Sequence, residues 1–226
     1  MSNEYPAELK AVLFDLDGTL IDTAPEFVLV VQQLRAEHGL EPLPAAIISA
    51  NVSNGARALV TLALGLQPDN AEFESQRLRL LDIYGEVLGS YAKPYPGIAE
   101  LLADLGENNI QWGICTNKPS AFAIPLMATI NLPAMGSLVC ADQVSSAKPD
   151  PEALYLNCEH LNCLPRQVVF VGDHVRDIEA GRNAGMQTIA ASYGYIEADD
   201  DAAAWGASVI AASADQIAPL LKQFSF

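Results

Sequence analysis

Positive charge is scarce in this sequence. Twelve Lys and Arg stand against 28 Asp and Glu in 226 residues, a formal charge of -16. Neutralising a nucleic-acid backbone takes clustered cations, so nucleic acid is excluded as an expected partner. An anionic small substrate stays open only if a metal or a few focused cations reverse the local repulsion. Long apolar runs are missing too: nothing approaches the ~18 uninterrupted apolar residues of a membrane span. The opening MSNEYPAELK carries no apolar leader core, and the expectation is a soluble, cytoplasmic protein with no membrane partner. Cysteine is limited to Cys115, Cys140, Cys158 and Cys163, without CxxC pairs, which argues against a zinc site and for buried, reduced thiols. There is no internal repeat and no low-complexity tract, and Asp199-Asp200-Asp201 reads as a solvated loop.

What is present is core material. Half of the residues are hydrophobic and 18% are charged, which suits one core with a modest insertion. Short apolar runs at 11–14 (AVLF), 112–115 (WGIC), 137–140 (SLVC), 168–171 (VVFV), 188–191 (TIAA) and 208–211 (SVIA) read as strands buried on both faces. Helix-like stretches lie between most of them, such as Ile98, Leu101, Leu102 and Leu105 at three and four spacing. Alternation of this kind predicts an α/β fold, a Rossmann-like parallel sheet with helices on both faces.

Almost a hundred residues between the first two runs lack a strand signal. Thr23-Ala-Pro-Glu26 reads as a capping box with proline in the first turn, followed on one face by Phe27, Val30, Val31 and Leu34. Ala58, Leu59, Leu62 and Ala63 predict a second helix, and residues 73–88 another. Lys93-Pro-Tyr-Pro-Gly97 then breaks the pattern. The expected organisation is a core from 1–17 and 95–226 with an inserted α-helical cap at 18–94, hung on linkers near 18–24 and 92–97.

Asp15-Leu-Asp-Gly-Thr19 directly follows the first strand, where ligands of open α/β sheets bind. Asp15 and Asp17 point the same way if the strand continues, and Gly18 lets the chain turn away. A calcium loop would need further oxygen ligands and a closing Glu at fixed spacing, which are absent after Gly18.

DLDGT after a buried strand resembles the first motif of the haloacid dehalogenase superfamily. Thr116-Asn117-Lys118, Lys148-Pro149 and Gly172-Asp173-His174-Val175-Arg176-Asp177 follow in the order of its remaining three motifs. The resemblance implies a phosphatase in which Asp15 is the nucleophile and Asp17 the general acid and base. Thr116 and the Asn117 backbone would hold phosphate oxygens, and Lys148 would offset charge. Four mutually repelling carboxylates call for a hard cation, magnesium. It would be bound by the side chains of Asp15 and Asp173, by the Asp17 carbonyl, and by Asp177 directly or through water. His174 sits at a variable motif position, as a supporting or merely exposed residue.

The helical insertion resembles the C1 cap of the phosphoglycolate phosphatase and β-phosphoglucomutase group. The implied reaction is hydrolysis of a small, carboxylated phosphomonoester by a monomer or homodimer, with 2-phosphoglycolate as the leading substrate. N-acetylmuramic acid 6-phosphate is the alternative, suggested by the tail from Tyr193 to Ala207, and a phosphosugar mutase is a further one. In the cap, Arg57 beside Asn54 and Gly55 is the expected carboxylate contact, its alternative being a solvated helix arginine.

Overall fold

The computed structural model describes residues 4–225. Residues 1–3 and 226, which the expected core segments include, lie outside these. The chain opens with β1 (Ala11–Phe14) and enters the insertion: β2 (Ile21–Asp22), α1 (Ala24–Glu37), α2 (Ala45–Ala50), α3 (Gly55–Leu64), α4 (Phe73–Val87) and β3 (Lys93–Pro94). It continues with α5 (Ile98–Glu107), β4 (Gln111–Thr116), α6 (Ser120–Thr129), β5 (Ser137–Cys140), α7 (Glu152–His160) and β6 (Val168–Gly172). It ends with α8 (Val175–Asn183), β7 (Gln187–Ala191), β8 (Val209–Ala211) and α9 (Ile217–Leu221). Each of the six apolar runs is a strand; α2 carried no signal that the sequence reading used.

The six long-range strands form one parallel sheet in the order β5-β4-β1-β6-β7-β8. The chain builds outward from β1 to one side, through β4 and β5, and then returns to its other side with β6. This reversal leaves a crevice beyond the carboxyl ends of β4, β1 and β6. Period-two alternation sorts the strand side chains to the two faces. Val12, Phe14, Ile114, Val169 and Val171 pack with Leu101 and Leu105 of α5, Leu126 of α6 and Ile217 of α9. Ala11, Leu13, Val168 and Phe170 pack with Leu154 of α7 and Ala180 of α8.

The insertion has an apolar cluster of its own, from Val30, Val31 and Leu34 of α1, Leu59 and Val60 of α3, and Leu80, Ile83 and Tyr84 of α4. Helices this short are marginal alone. Burying each such side chain contributes about 1.5 to 3 kcal/mol, so the shared cluster holds them. Its two connections to the sheet pair antiparallel, Ile21 with Pro94 and Asp22 with Lys93. Among the described residues no helix is long and apolar enough to cross a membrane. Cys115, Cys140 and Cys158 are buried and Cys163 is partly so, all as free thiols.

One local expectation is overturned. Pro25 does lie in the first turn of α1, but Thr23 and Glu26 do not form a capping box: the N-cap Thr23 makes no side-chain bond to its own helix. Glu26 Oε1 instead accepts the backbone N–H groups of Tyr91 and Ala92, both 3.0 Å away, where the chain leaves the insertion. The Thr23 hydroxyl donates instead to the carboxylate of Asp17, at 2.6 Å.

Candidate active site

Asp15 follows β1 without a break, its N–H donating to Val171 O at 2.8 Å and so extending the ladder to β6. Thr116 is the last residue of β4, and Asp173 follows β6 directly. Three adjacent strand ends therefore deliver their side chains into one crevice. Gly18 makes the turn possible: it adopts φ +83°, and a Cβ there would collide with the Asp173 carboxylate.

Oxygen atoms of Asp15, Asp173 and Asp177 lie within 4.8 Å of one another, all buried. Asp173 Oδ1 accepts from Thr19 Oγ1 at 2.8 Å, and Oδ2 accepts from the Tyr195 N–H at 2.9 Å and from Ser53 Oγ of the insertion at 3.0 Å. Burial, reinforced by Asp15 and Asp177, pushes the Asp173 carboxyl up to about 8. Burial likewise raises Asp15 to about 6, against the lowering pull of Lys148. The Lys148 ammonium reaches Asp15 Oδ1 at 2.8 Å and Asp177 Oδ1 at 2.7 Å, and donates to Cys115 O at 2.8 Å. Burial works against its charge, but Asp15 and Asp177 outweigh that and hold its pKa above the usual lysine value. With three protein oxygens around it, Lys148 acts on a bound phosphate through its charge, or through a bond only by exchanging a partner. Three carboxyl groups that resist sharing negative charge in one buried pocket form an all-oxygen donor set that fits a hard divalent cation.

Asp17 stands apart from that cluster. Its Oδ1 accepts from the Thr23 hydroxyl at 2.6 Å and from Lys118 Nζ at 2.9 Å, and its Oδ2 lies 3.2 Å from the same ammonium. Lys118 is buried, with its Nζ 4.6 Å from the ring centroid of Tyr84 and 5.1 Å from that of Phe27. These rings supply a cation–π contact and exclude water. Sequence reading named Lys118 only as a motif member; the neighbours that make it a clamp come from the insertion. Asn117 exchanges two hydrogen bonds with the Lys148 backbone, donating Nδ2 to Lys148 O at 3.1 Å and accepting Lys148 N–H at 3.0 Å. Its side chain thus fixes the lysine loop and leaves its backbone for other contacts. Thr116 Oγ1 accepts the Lys118 N–H at 3.1 Å and lines the cavity.

A cavity of about 450 Å³ opens over these groups, between Asp15, Asp17, Thr116 and Lys118 below and Phe27, Val52, Tyr84 and Phe122 beside them. Arg57, Asn54, Gly55 and Arg176 also line it. Arg57 is exposed, its guanidinium carbon 5.0 Å from the Phe73 ring centroid, close to Glu74. Asn54 is turned to the sheet domain: Nδ2 donates to Glu197 Oε1 at 2.7 Å, and Oδ1 meets Arg176 Nη2 and His174 Nε2, both at 3.2 Å. Arg176 Nη2 also donates to Ser53 O at 2.8 Å. His174 Nδ1 accepts two Arg176 N–H groups, so Nε2 carries the proton. Burial, with the Arg176 charge behind it, lowers this imidazole to about 4, which keeps it neutral. His174 is thus a bonded part of the contact between insertion and sheet, and so is Asn54. Sequence reading named Arg176 only as a motif member and gave Ser53 and Glu197 no role, because nothing in the sequence brings positions so distant together.

A Rossmann-like sheet thus carries buried carboxylates at its strand ends beneath a helical insertion, and this architecture has relatives of known class. The haloacid dehalogenase-like hydrolase family model matches residues 12–191. The chain is 49% identical over 203 residues to N-acetylmuramic acid 6-phosphate phosphatase of Pseudomonas aeruginosa, spanning 89% of this chain and 90% of that one. It is 36% identical over 214 residues to phosphoglycolate phosphatase of Xanthomonas campestris pv. campestris, spanning 92% and 94%. A crystal structure of a predicted phosphoglycolate phosphatase from Haemophilus somnus superposes with a TM-score of 0.84 at 25% identity, covering 95% of this chain and 98% of that one. The chain belongs to the haloacid dehalogenase-like hydrolase family, and within it to the phosphatases.

Proposed function

We propose that the protein hydrolyses N-acetylmuramic acid 6-phosphate through an aspartyl-phosphate intermediate at Asp15, with magnesium held by Asp15, Asp173, Asp177 and the Asp17 carbonyl. The ion supplies positive charge that lets a phosphate dianion approach the carboxylates. An Asp15 carboxylate oxygen attacks phosphorus as the bond to the sugar oxygen breaks, and Asp17 gives that oxygen its proton. Water then attacks the phosphorus of the aspartyl phosphate and passes a proton to Asp17. The P–O bond to Asp15 breaks, and phosphate and the free carboxylate are restored. Thr116 and the Asn117 backbone orient phosphate oxygens, and Lys148 lowers the cost of negative charge beside Asp15. The helices of residues 18–94 act as the cap that excludes water and reads the substrate, with Arg57 facing its carboxylate.

The observation that carries the substrate choice is the closer likeness to the Pseudomonas phosphatase, which reverses the order expected from sequence. The cavity agrees. Its volume is within the roughly 300 to 1,000 Å³ of pockets for drug-sized ligands. Phe27, Leu81 and Phe122 offer an apolar wall that the N-acetyl and lactyl methyl groups of a muramic acid would cover. Phosphoglycolate, with two carbons, would leave that wall bare. Phosphate release from N-acetylmuramic acid 6-phosphate, 2-phosphoglycolate and hexose 6-phosphates tests the choice by kcat/KM. N-acetylmuramic acid 6-phosphate is expected to lead; a lead by 2-phosphoglycolate would overturn the assignment, and an isomerised sugar in place of free phosphate would identify a mutase.

A further inference from the structure

Tyr195 is a buried residue of the sheet domain, in the loop after β7, yet its ring packs in the apolar cluster of the insertion. Its hydroxyl accepts the backbone N–H groups of Thr23 at 2.6 Å and Ala24 at 2.8 Å, and donates to Asp22 Oδ1 at 2.7 Å. Those two N–H groups open α1. A threonine at the N-cap ordinarily turns its hydroxyl onto the N–H of the second or third helical residue; here the second is Pro25, and the Glu26 N–H donates to Thr23 O at 3.1 Å. Here a tyrosine 172 positions away holds the backbone of Thr23 itself, and the Thr23 hydroxyl donates to Asp17 Oδ1. The same tyrosine is anchored from behind, its N–H on Asp173 Oδ2. Gly194 before it admits no side chain, since a Cβ there would collide with Asp173 and with Gly18 O.

We infer that Tyr195 is a positioning residue: by binding the N–H groups of Thr23 and Ala24, it fixes the backbone from which the Thr23 hydroxyl holds the Asp17 carboxylate toward the leaving group. The inference rests on the proposed acid role of Asp17. Without the tyrosine hydroxyl, the Thr23 backbone loses that tether, its hydroxyl is no longer held in one place, and Asp17 is left to Lys118 alone. The chemical consequence is selective, because an acid matters only where the departing oxygen needs a proton.

The test compares kcat/KM on N-acetylmuramic acid 6-phosphate, whose alkoxide leaving group needs that proton, with 2,4-dinitrophenyl phosphate, whose phenolate leaves without one. Tyr195→Phe, Thr23→Val, the double variant and Asp17→Asn are measured as full-length protein with magnesium. Tyr195→Phe and Thr23→Val are each expected to lower the ratio of the two rates by about tenfold, within the ~10²- to 10⁴-fold that a general acid contributes. The double variant is expected to be no worse than either single one, since both remove the same contact. Equal losses on both substrates would make Tyr195 a folding residue and overturn the inference, as would losses that multiply in the double variant. Asp17→Asn separates the levels: if it fails to lower the ratio, the acid assignment itself is wrong and the inference falls with it. Should Tyr195→Phe not fold, Thr23→Val carries the decision through its melting temperature. An unchanged melting temperature with a lowered ratio supports a Thr23 hydroxyl that serves Asp17; a drop typical of a lost N-cap shows that Thr23 serves its own helix and overturns the inference.

Discussion

Lys118 Nζ lies 2.9 Å from Asp17 Oδ1 and 3.2 Å from Oδ2, under the rings of Phe27 and Tyr84. A core lysine is thereby fixed by two insertion aromatics onto the carboxylate assigned to proton transfer. Lys118→Met keeps the stem and removes the charge, leaving Asp17 with only the Thr23 hydroxyl. A charge-assisted hydrogen bond in such a setting contributes about 1.5 to 3 kcal/mol, so kcat is expected to fall roughly ten- to two-hundredfold. Steady-state kinetics beside a thermal melt checks this; a kcat within about twofold of wild type would show that the clamp does not serve catalysis.

Asp15→Asn preserves shape and removes the attacking oxygen's charge. Turnover is expected to drop to background, and burst-phase measurements to show no phosphorylated protein. Activity retained within about tenfold, which is roughly 1.4 kcal/mol of barrier, would reject the covalent route.

Without metal, the carboxylate cluster makes stability depend on pH. Burial raises the folded-state pKa of Asp15 to about 6 and of Asp173 to about 8, above their unfolded values near 4. Groups shifted upward stabilise the fold fully below the unfolded pKa, and that contribution is lost as pH rises through the folded pKa. The chelated protein is therefore expected to melt progressively lower between about pH 4 and pH 8. Magnesium is expected to raise the midpoint most at the alkaline end, where both carboxylates are ionised. Calorimetry across that range decides it; a chelated protein that gains stability from pH 5 to 8 and ignores magnesium would refute the metal assignment.

How far the sequence carries is instructive at Thr23. The strands were legible because β1, β4 and β6 are buried on both faces and so read as unbroken apolar runs. The ends of β1, β4 and β6 were legible because side chains there must converge in a parallel sheet. Thr23-Ala-Pro-Glu26 matched a helix start and α1 does start there, yet the bonds the motif implies are absent. Asp17, Tyr91 and Ala92 engage its two side chains instead, and Tyr195 holds the N–H groups of Thr23 and Ala24. Ser53, Arg176 and Tyr195 were illegible for a related reason. Each acts across the boundary between sheet and insertion, and periodicity reports only on a residue's own element.

The insertion's charged rim offers a test with two opposite signs. Glu74 binds Arg77 through two hydrogen bonds, of 2.9 and 2.6 Å, and Arg57 adds to the forces that hold its carboxyl below the ordinary range. A carboxylated substrate reaching Arg57 must compete with that glutamate. Arg57 is exposed, so the interaction is discounted for solvent screening to about 1 kcal/mol, or roughly fivefold in kcat/KM. Arg57→Ala is expected to lower the ratio of kcat/KM for N-acetylmuramic acid 6-phosphate to that for N-acetylglucosamine 6-phosphate, which lacks the lactyl carboxylate. Glu74→Gln removes the competitor and is expected to raise the same ratio, while high salt flattens both changes. A matched fall in both substrates would assign Arg57 to the packing of α3 on Phe73. A ratio that moves in the same direction for both variants would mean that charge at this rim does not select the substrate.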